Sequence, residues 1–259
     1  QEARSAEVSI NALAIIGGGA AGYFLAVCVK ERTPQVRVTI FESGRAGLRK
    51  VKVSGGGRCN ITNTFDDVGD LQWVYPRGHR LMKRLLKSFS QRDAYDWWER
   101  HGVRLTIQDD GCIFPRSQDS QQVIDCLTYH ARRLGVQVVT GRRIVSLDEV
   151  SDYDAVCVAT GGMTAATRTL VEGYVDIVDP CPSLFSLSVS DDSLRALSGL
   201  VVEAGVRLSG TPFAAAGPLL ITHWGFSGPA TLRLSSYAAR HLAEAGYRAT
   251  IAVNWLQMN

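Results

Sequence analysis

The residues with the clearest chemical potential form a short glycine-rich stretch near the start of the chain. The stretch consists of Gly17, Gly18, Gly19, Ala20, Ala21 and Gly22. Its glycines at 17, 19 and 22 fit the pattern G-x-G-x-x-G, in which they permit a tight turn, close backbone approach to a pyrophosphate and close helix packing, in that order. N–H groups at the start of the following helix would face the phosphates. The pattern predicts a dinucleotide-binding turn.

The segments around this turn support the same interpretation. An apolar strand precedes it at 12–16, a helix follows, and a second strand at 36–41 ends directly before Glu42. An acidic residue at this distance is expected to accept hydrogen bonds from an adenosine ribose. Residues 8–29 contain no charge and are long enough to suggest a membrane span. We favour the βαβ unit, because each of the three consecutive glycines would cost a helix about 1 kcal/mol relative to alanine.

A second glycine cluster follows the first βαβ unit closely. Its candidate binding residues are Ser54, Gly55, Gly56, Gly57, Arg58, Cys59, Asn60, Thr62 and Asn63. Three glycines expose backbone N–H groups to an anion or a flat ring, and Arg58 can pair with a phosphate. A flexible surface loop is the alternative. A second glycine cluster so close to the first favours a binding loop over a mere linker.

The composition is that of a globular protein and does not itself call for a nucleic-acid partner. Apolar residues make up 46% and charged residues 20%, and 28 basic against 25 acidic residues give a net charge of +3. The six cysteines are scattered without a C-x-x-C pair. They predict reduced thiols in a cytoplasmic protein, with no disulfide and no metal site. Residues 1–7 are expected to form a tail.

The remaining elements predict an α/β fold. A basic amphipathic helix is expected over 77–89, with Leu81 and Leu85 on its apolar face. Two helix-then-strand units, 90–107 and 120–140, are expected to extend the parallel sheet, and Trp97 and Trp98 to pack in the core. A strand at 154–158 ends in Ala159, Thr160, Gly161 and Gly162. From residue 183 the alternation is that of strands. We therefore predict a first domain over 1–182 and a β-rich domain over 183–259.

With these motifs in view, the chain resembles the BaiN-like family of bacterial NAD(P)/FAD-dependent oxidoreductases. The resemblance rests on the segments 16–22, 54–63, 111–115, 159–162 and 222–229, which occur in the family's order. It implies a Rossmann-like FAD/NAD(P)-binding domain, as in two-dinucleotide-binding flavoproteins, with the start of a β-rich insert domain. It also implies that the family's C-terminal segment, which returns to the FAD domain, is absent after Asn259, so both domains are expected to be incomplete.

The resemblance also assigns roles to individual residues. Gly17 to Ala21 would hold the pyrophosphate of FAD, and Glu42, next to Ser43, would hold the ribose. Lys50 and the cluster 54–63 would line the phosphate and flavin side. Ile144 would meet the adenine through its backbone, and the segment 159–162 would pack near the adenosine.

These observations predict an FAD-binding oxidoreductase with NAD(P)H considered as electron donor. The alternatives are an NAD-dependent dehydrogenase without flavin, or a non-catalytic nucleotide-binding or interaction module that uses the basic helix. No residue stands out as a catalytic acid or base, and Cys59 is a candidate redox group beside the flavin. A small-molecule substrate is expected, with neither a membrane nor a nucleic acid as partner; the substrate and the oligomeric state stay open.

Overall fold

The computed structural model describes residues 10–256, and the chain divides into two compact units between Ile177 and Val178. The tail expected over residues 1–7 lies outside the described residues. Within the described part of the chain, every helix is too short or too polar to cross a membrane. Each unit has its own hydrophobic core.

The first unit consists of seven strands and six α-helices among the described residues. The strands are β1 (Ala12–Ile16), β2 (Arg37–Phe41), β3 (Thr62–Asn63), β4 (Leu105–Ile107), β5 (Cys112–Pro115), β6 (Gln137–Val139) and β7 (Ala155–Val158). The helices are α1 (Ala20–Arg32), α2 (Arg49–Val53), α3 (His79–Ser88), α4 (Gln91–Arg100), α5 (Ser120–Arg133) and α6 (Ala165–Val171). Short 3₁₀ turns lie at Ser54–Gly57, Leu71–Trp73 and Leu147–Val150.

A four-stranded parallel sheet in the order β6-β2-β1-β7 forms the centre of this unit. Strand β1 is buried along its whole length, as an apolar strand with neighbours on both sides should be. From β1 the chain adds β2 and β6 on one side and then β7 on the other. The order therefore reverses between β1 and β7, where ligands bind in open α/β sheets. The Rossmann-like fold expected for this unit is confirmed.

One expectation about the sheet is wrong. The helix-then-strand unit at 90–107 does not extend the parallel sheet, because β4 pairs antiparallel with β5 in a separate sheet of order β3-β5-β4. The reason is the short turn around Gly111 (φ +74°), which returns the chain directly into β5. A tight turn can join antiparallel strands only. Of the two units, only the one ending in β6 joins the parallel sheet.

Helix α4 forms and packs as predicted. Helix α3 also forms where predicted, but its apolar face is not packed against the core. Ser90 and Asp93 form a capping box at the start of α4, and Trp97 and Trp98 are buried in the core as expected. In α3, by contrast, no residue is buried, and Leu81 and Leu85 are each 49% exposed. The apolar spacing of α3 thus predicted the helix correctly, but its apolar face is not covered.

The second unit is β-rich, as predicted. Its described elements are β8 (Leu187–Ser188), α7 (Asp192–Arg195), β9 (Val201–Leu208), β10 (Ala214–Thr222), β11 (Gly225–Ser227), α8 (Gly228–Tyr237), α9 (Ala239–Glu244) and β12 (Ile251–Asn254). The strands form an antiparallel sheet in the order β12-β9-β10-β11-β8, and α8 packs on it. Strand β9 runs without interruption over eight residues. Helices α8 and α9 are separated at Ala238, where the backbone is no longer helical (ψ +6°).

Candidate dinucleotide-binding site

The loops that follow β1, β2 and β7 meet at the carboxyl edge of the parallel sheet. The Gly17 N–H donates to the Phe41 carbonyl at 2.8 Å, and the Ala159 N–H donates to the Ile16 carbonyl at 2.8 Å. Three segments far apart in sequence are thereby brought together: 17–22, 42–44 and 159–162. This edge lies at the point where the strand order reverses, which is the place for a ligand in this fold.

Gly17 and Gly22 form the tight turn and the close helix packing expected of them. Gly17 has φ +118°, and a Cβ atom there would lie 2.4 Å from the Ala159 carbonyl oxygen. A Cβ atom at Gly22 would lie 2.1 Å from the Gly17 carbonyl oxygen. Neither position has room for a side chain, so both glycines are required by the backbone itself.

Gly19 differs from its neighbours because it faces open space. It caps the N-terminus of α1, its φ is −87°, and a Cβ atom there would meet nothing within 4 Å. No side chain caps this helix, and its first turn contains no acidic residue. The N–H groups of Ala20 and Ala21 at the start of α1, together with the positive end of the helix dipole, favour an anion here. Gly19 thus leaves space where a phosphate group would bind.

Glu42 holds the glycine turn in place. Its Oε2 accepts from the Gly18 N–H at 2.9 Å and its Oε1 accepts from the Gly44 N–H at 2.6 Å. The expected role was hydrogen bonding to a ribose, and each oxygen keeps a further lone pair for that purpose. The structure therefore adds a positioning role to the predicted one. Ser43, between the two contacts, is exposed.

We expect Glu42→Gln to weaken binding of FAD, the cofactor that the resemblance implies. An amide group can accept from only one of the two glycine N–H groups, because its NH₂ group faces the other. Losing one hydrogen bond to a charged acceptor costs about 1.5 kcal/mol, or roughly tenfold in Kd. Fluorescence titration with FAD measures the effect. Glu203→Gln, at an exposed position of β9, is the matched control; equal affinities for both variants would contradict the positioning role.

The second glycine cluster lies beside the first. The Leu48 N–H donates to the Gly18 carbonyl at 2.8 Å, which anchors α2 next to the glycine turn. After α2, Gly55, Gly56 and Gly57 have φ values of +54°, +68° and +86°. Three consecutive left-handed residues turn the chain sharply, which only glycine does at low cost. The Lys50 Nζ lies 3.3 Å from the position of a Cβ atom on Gly161, so Lys50 reaches the β7 loop.

A cavity of about 290 Å³ opens between the two glycine clusters. Its walls come from the start of α1, from the loop after α2, and from α4 and α5. The lining residues are Ala20, Ala21, Phe24, Val51, Cys59, Asn60, Ile61, Trp98, Val123 and Leu127. The lining is predominantly apolar, as is usual where a flat aromatic ring binds. Phe24, Trp98, Val123 and Leu127 were not among the predicted site residues, because their periodicity indicated only core-facing helix positions.

The surroundings of Cys59 and Arg58 do not match the roles predicted for these two residues. Cys59 is buried, and burial raises the pKa of its thiol, so the group is held neutral. A neutral thiol with no second cysteine in the cavity lining does not favour the redox role considered for it. The Arg58 guanidinium lies 4.3 Å from the centre of the Phe114 ring and donates to Gln118 Oε1 at 3.4 Å. Arg58 therefore already contacts β5 and its following turn.

Three predicted site residues serve the scaffold in this structure. Thr62 pairs with Ile113 in the small antiparallel sheet, and the Asn63 side chain donates to the Asp110 carbonyl at 3.2 Å. The Ile144 side chain is buried against Ala14 and Ile16. The Asn63 side chain hydrogen-bonds within 63–65 and 110–112, away from the glycine turn. The cofactor contacts predicted for these three residues stay predictions.

Comparison with known proteins gives a family and a set of distant relatives. The family model described as "HI0933-like protein Rossmann domain" matches residues 11–173, and "HI0933-like protein barrel and H2TH domain" matches residues 181–257. The chain is 26% identical over 95% of its length to a 3-dehydro-bile acid delta(4,6)-reductase of Clostridium scindens. It is 28% identical over 86% of its length to a ribosomal RNA dihydrouridine synthase of Escherichia coli.

The matches cover 65% of the first relative and 60% of the second, so the chain spans about three fifths of their length. Among solved structures, an open conformation of a flavocytochrome c3 fumarate reductase matches with a TM-score of 0.42 and 14% identity. That match covers 75% of this chain and 47% of the other.

Proposed function

The chain belongs to the HI0933-like family, and on this premise we propose that it binds FAD and reduces a carbon–carbon double bond conjugated to a carbonyl group. The observation that carries the proposal is the pair of glycine clusters that enclose one cavity. The first presents uncapped N–H groups at Gly19 to a pyrophosphate, and the second forms the far wall with Cys59 and Asn60. A cofactor with both a pyrophosphate and a flat ring fits this arrangement.

The reaction class is proposed from the two relatives together. One is named a delta(4,6)-reductase of a 3-dehydro-bile acid, and the other a synthase of dihydrouridine in ribosomal RNA. Both names describe the addition of two hydrogens to an unsaturated ring in which the double bond is conjugated to a carbonyl. FAD, when bound and reduced, supplies hydride chemistry of this kind. We propose NAD(P)H as the electron donor.

The residues of this chain would bind and orient the cofactor. The N–H groups of Gly19, Ala20 and Ala21 would hold the pyrophosphate, and Glu42 would fix the glycine turn that presents them. Lys50, an exposed cation near Gly161, adds positive charge at the phosphate side. The apolar walls of the cavity, including Phe24 and Trp98, would exclude water from the ring.

A uridine in RNA is a second candidate substrate, and one surface favours it. Residues 76–90 contain five basic residues and no acidic residue, and four of these lie exposed on α3: Arg80, Lys83, Arg84 and Lys87. A cluster of exposed cations on one helix suits a phosphate backbone. If α3 binds RNA, affinity should fall steeply as salt is raised, because phosphate contacts release counterions.

The proposal is tested by the visible absorption spectrum of the purified chain, followed by unfolding and identification of any released cofactor. We expect stoichiometric FAD, or its uptake when added. The bound flavin, reduced anaerobically with NADH or NADPH, is then mixed with a 3-oxo steroid that carries a 4,5 double bond, or with uridine-containing ribosomal RNA. Reoxidation of the flavin, together with an increase of one H₂ in the mass of the substrate, identifies the substrate class. A folded chain that binds NAD but not FAD would favour the flavin-free dehydrogenase and contradict the proposal.

A further inference from the structure

A second cluster of chemically capable side chains lies away from the cofactor site, at the far end of α1. Glu31 is in the last turn of α1, His101 caps the end of α4, and His130 is in the last turn of α5. One ligand atom from each lies within 4.8 Å of the others. Helix α1 has 13 residues and is therefore roughly 20 Å long. The cluster is about that far from the glycine turn at the other end.

The geometry of His101 places two acceptors face to face. Its Nδ1 lies 2.6 Å from the Trp97 carbonyl oxygen, which can only accept, so Nδ1 carries a proton. In the neutral ring the lone pair of Nε2 then points at Glu31 Oε1, 2.7 Å away. At 2.7 Å only a proton fits between the two atoms; a metal ion would replace that proton and hold the two atoms farther apart. A histidine whose second nitrogen donates to a carbonyl is also the usual arrangement of a metal ligand.

The surroundings of His101 keep it in this orientation. Its ring stacks on Trp97 with centroids 3.8 Å apart, and its side chain is only 10% exposed. The His130 ring lies 4.6 Å from the His101 ring, and His130 Nε2 is 3.3 Å from the His101 carbonyl oxygen. Because that carbonyl oxygen can only accept, His130 Nε2 carries a proton, and its Nδ1 accepts from the exposed Arg133 at 3.5 Å. Nδ1 is therefore the nitrogen that would bind an ion, once the Arg133 side chain moves aside. The cluster is thus ordered by packing but remains reachable through the partly exposed Glu31.

Helix electrostatics also favours a cation at this point. All three residues lie at helix C-terminal ends, where the aligned peptide dipoles leave partial negative charge. Glu31 adds a formal negative charge. Two imidazole nitrogens and one carboxylate oxygen form a donor set that suits zinc and neighbouring divalent transition metals better than calcium or magnesium. Tetrahedral coordination at about 2.1 Å separates ligand atoms by roughly 3.4 Å, so the partly exposed Glu31 carboxylate would have to withdraw from its 2.7 Å contact with His101 when an ion binds.

We propose that Glu31, His101 and His130 bind one divalent transition-metal ion of the zinc class, with water completing its coordination. The ion would join the C-terminal ends of α1, α4 and α5 and stabilise the first unit. The sequence predicted no metal site, because the three residues are separated by 70 and 29 positions. Only the packing of the three helices brings them together.

The test is metal binding by the purified full chain after treatment with a chelator. Equilibrium dialysis with Zn²⁺ should give one ion per chain, with a rise in Tm. Co²⁺ should show visible d–d bands without the near-ultraviolet bands of cysteine thiolate ligation. Glu31→Gln and His130→Gln should each weaken binding by at least about tenfold, because each loses one ligand of three. Both positions are exposed or half-buried, so the variants should fold.

His223→Gln, at an exposed histidine of the second unit, is the control and should bind as the unchanged chain does. The proposal is overturned if the chain takes up no Zn²⁺ at micromolar concentrations, which would mean that a proton alone joins His101 and Glu31. It is equally overturned if both variants bind with unchanged affinity, or if Co²⁺ shows thiolate bands. The wild-type stoichiometry and spectrum decide the question even if a variant fails to fold.

Discussion

Gly19→Val is expected to weaken FAD binding severely while leaving the fold intact. The backbone at Gly19 has φ −87°, which valine adopts without strain, and a Cβ atom there meets nothing within 4 Å. The branched side chain would instead occupy the space in which the pyrophosphate approaches the start of α1. Losing two N–H hydrogen bonds to a charged phosphate costs about 3 kcal/mol, or roughly 100-fold in Kd.

Flavin fluorescence titration measures this loss, and circular dichroism reports the fold. Gly205→Val is the matched control, because Gly205 lies in β9 of the second unit and a Cβ atom there makes only an ordinary contact, 3.6 Å from the Asn254 Cβ. The control should bind FAD normally. A well-folded Gly19→Val chain with unchanged FAD affinity would show that the pyrophosphate binds elsewhere.

Gly22→Ala is expected to have the largest effect on stability. The added methyl group would lie 2.1 Å from the Gly17 carbonyl oxygen and 3.2 Å from the Ile15 side chain. The backbone oxygen cannot move away without breaking the turn after β1, so α1 must shift off the sheet. Overpacking of this kind costs about 3 kcal/mol, a large part of the total stability of a domain.

Urea unfolding followed by circular dichroism gives the free energy of unfolding. The same substitution three residues earlier, Gly19→Ala, is the control: it adds a methyl group into open space at an allowed φ, so stability should change little. If both variants unfold at the same urea concentration, α1 does not pack on the glycine turn as closely as described.

The parts of this fold that could be predicted are those in which neighbouring residues determine the structure. The strand, glycine turn, helix and second strand of 12–41 are a local unit, and the capping box at Ser90 is complete within four residues. The error at 90–107 has a different origin. The residues of a strand do not determine which other strand it pairs with, and β4 pairs with β5 across the turn around Gly111.

The site was predictable to the extent that backbone requirements determined it. Gly22 is required by a contact within one turn of chain, with the Gly17 carbonyl oxygen, and sequence spacing indicates such a contact. Gly17 is required by its φ of +118° in the tight turn and also by the Ala159 carbonyl oxygen, which only the fold brings beside it. The Glu42 carboxylate could accept hydrogen bonds from several partners. Sequence spacing does not determine that it accepts from these two N–H groups. The walls contributed by Phe24 and Trp98 depend on how three helices pack, which is a tertiary property.

The uncovered face of α3 has a practical consequence for measuring these stabilities. Leu81, Leu85 and the adjacent Phe89 are all at least 40% exposed in the folded chain. Environment-sensitive dyes fluoresce when they bind such apolar surface, so the native protein would already give a strong signal before any unfolding. In a dye-based melting curve the fluorescence of the folded state would then be high, and its increase on unfolding would be small. Far-ultraviolet circular dichroism avoids this background, because it reports the backbone and needs no dye. Intrinsic fluorescence would mix the buried Trp97 and Trp98 with the exposed Trp73, Trp224 and Trp255.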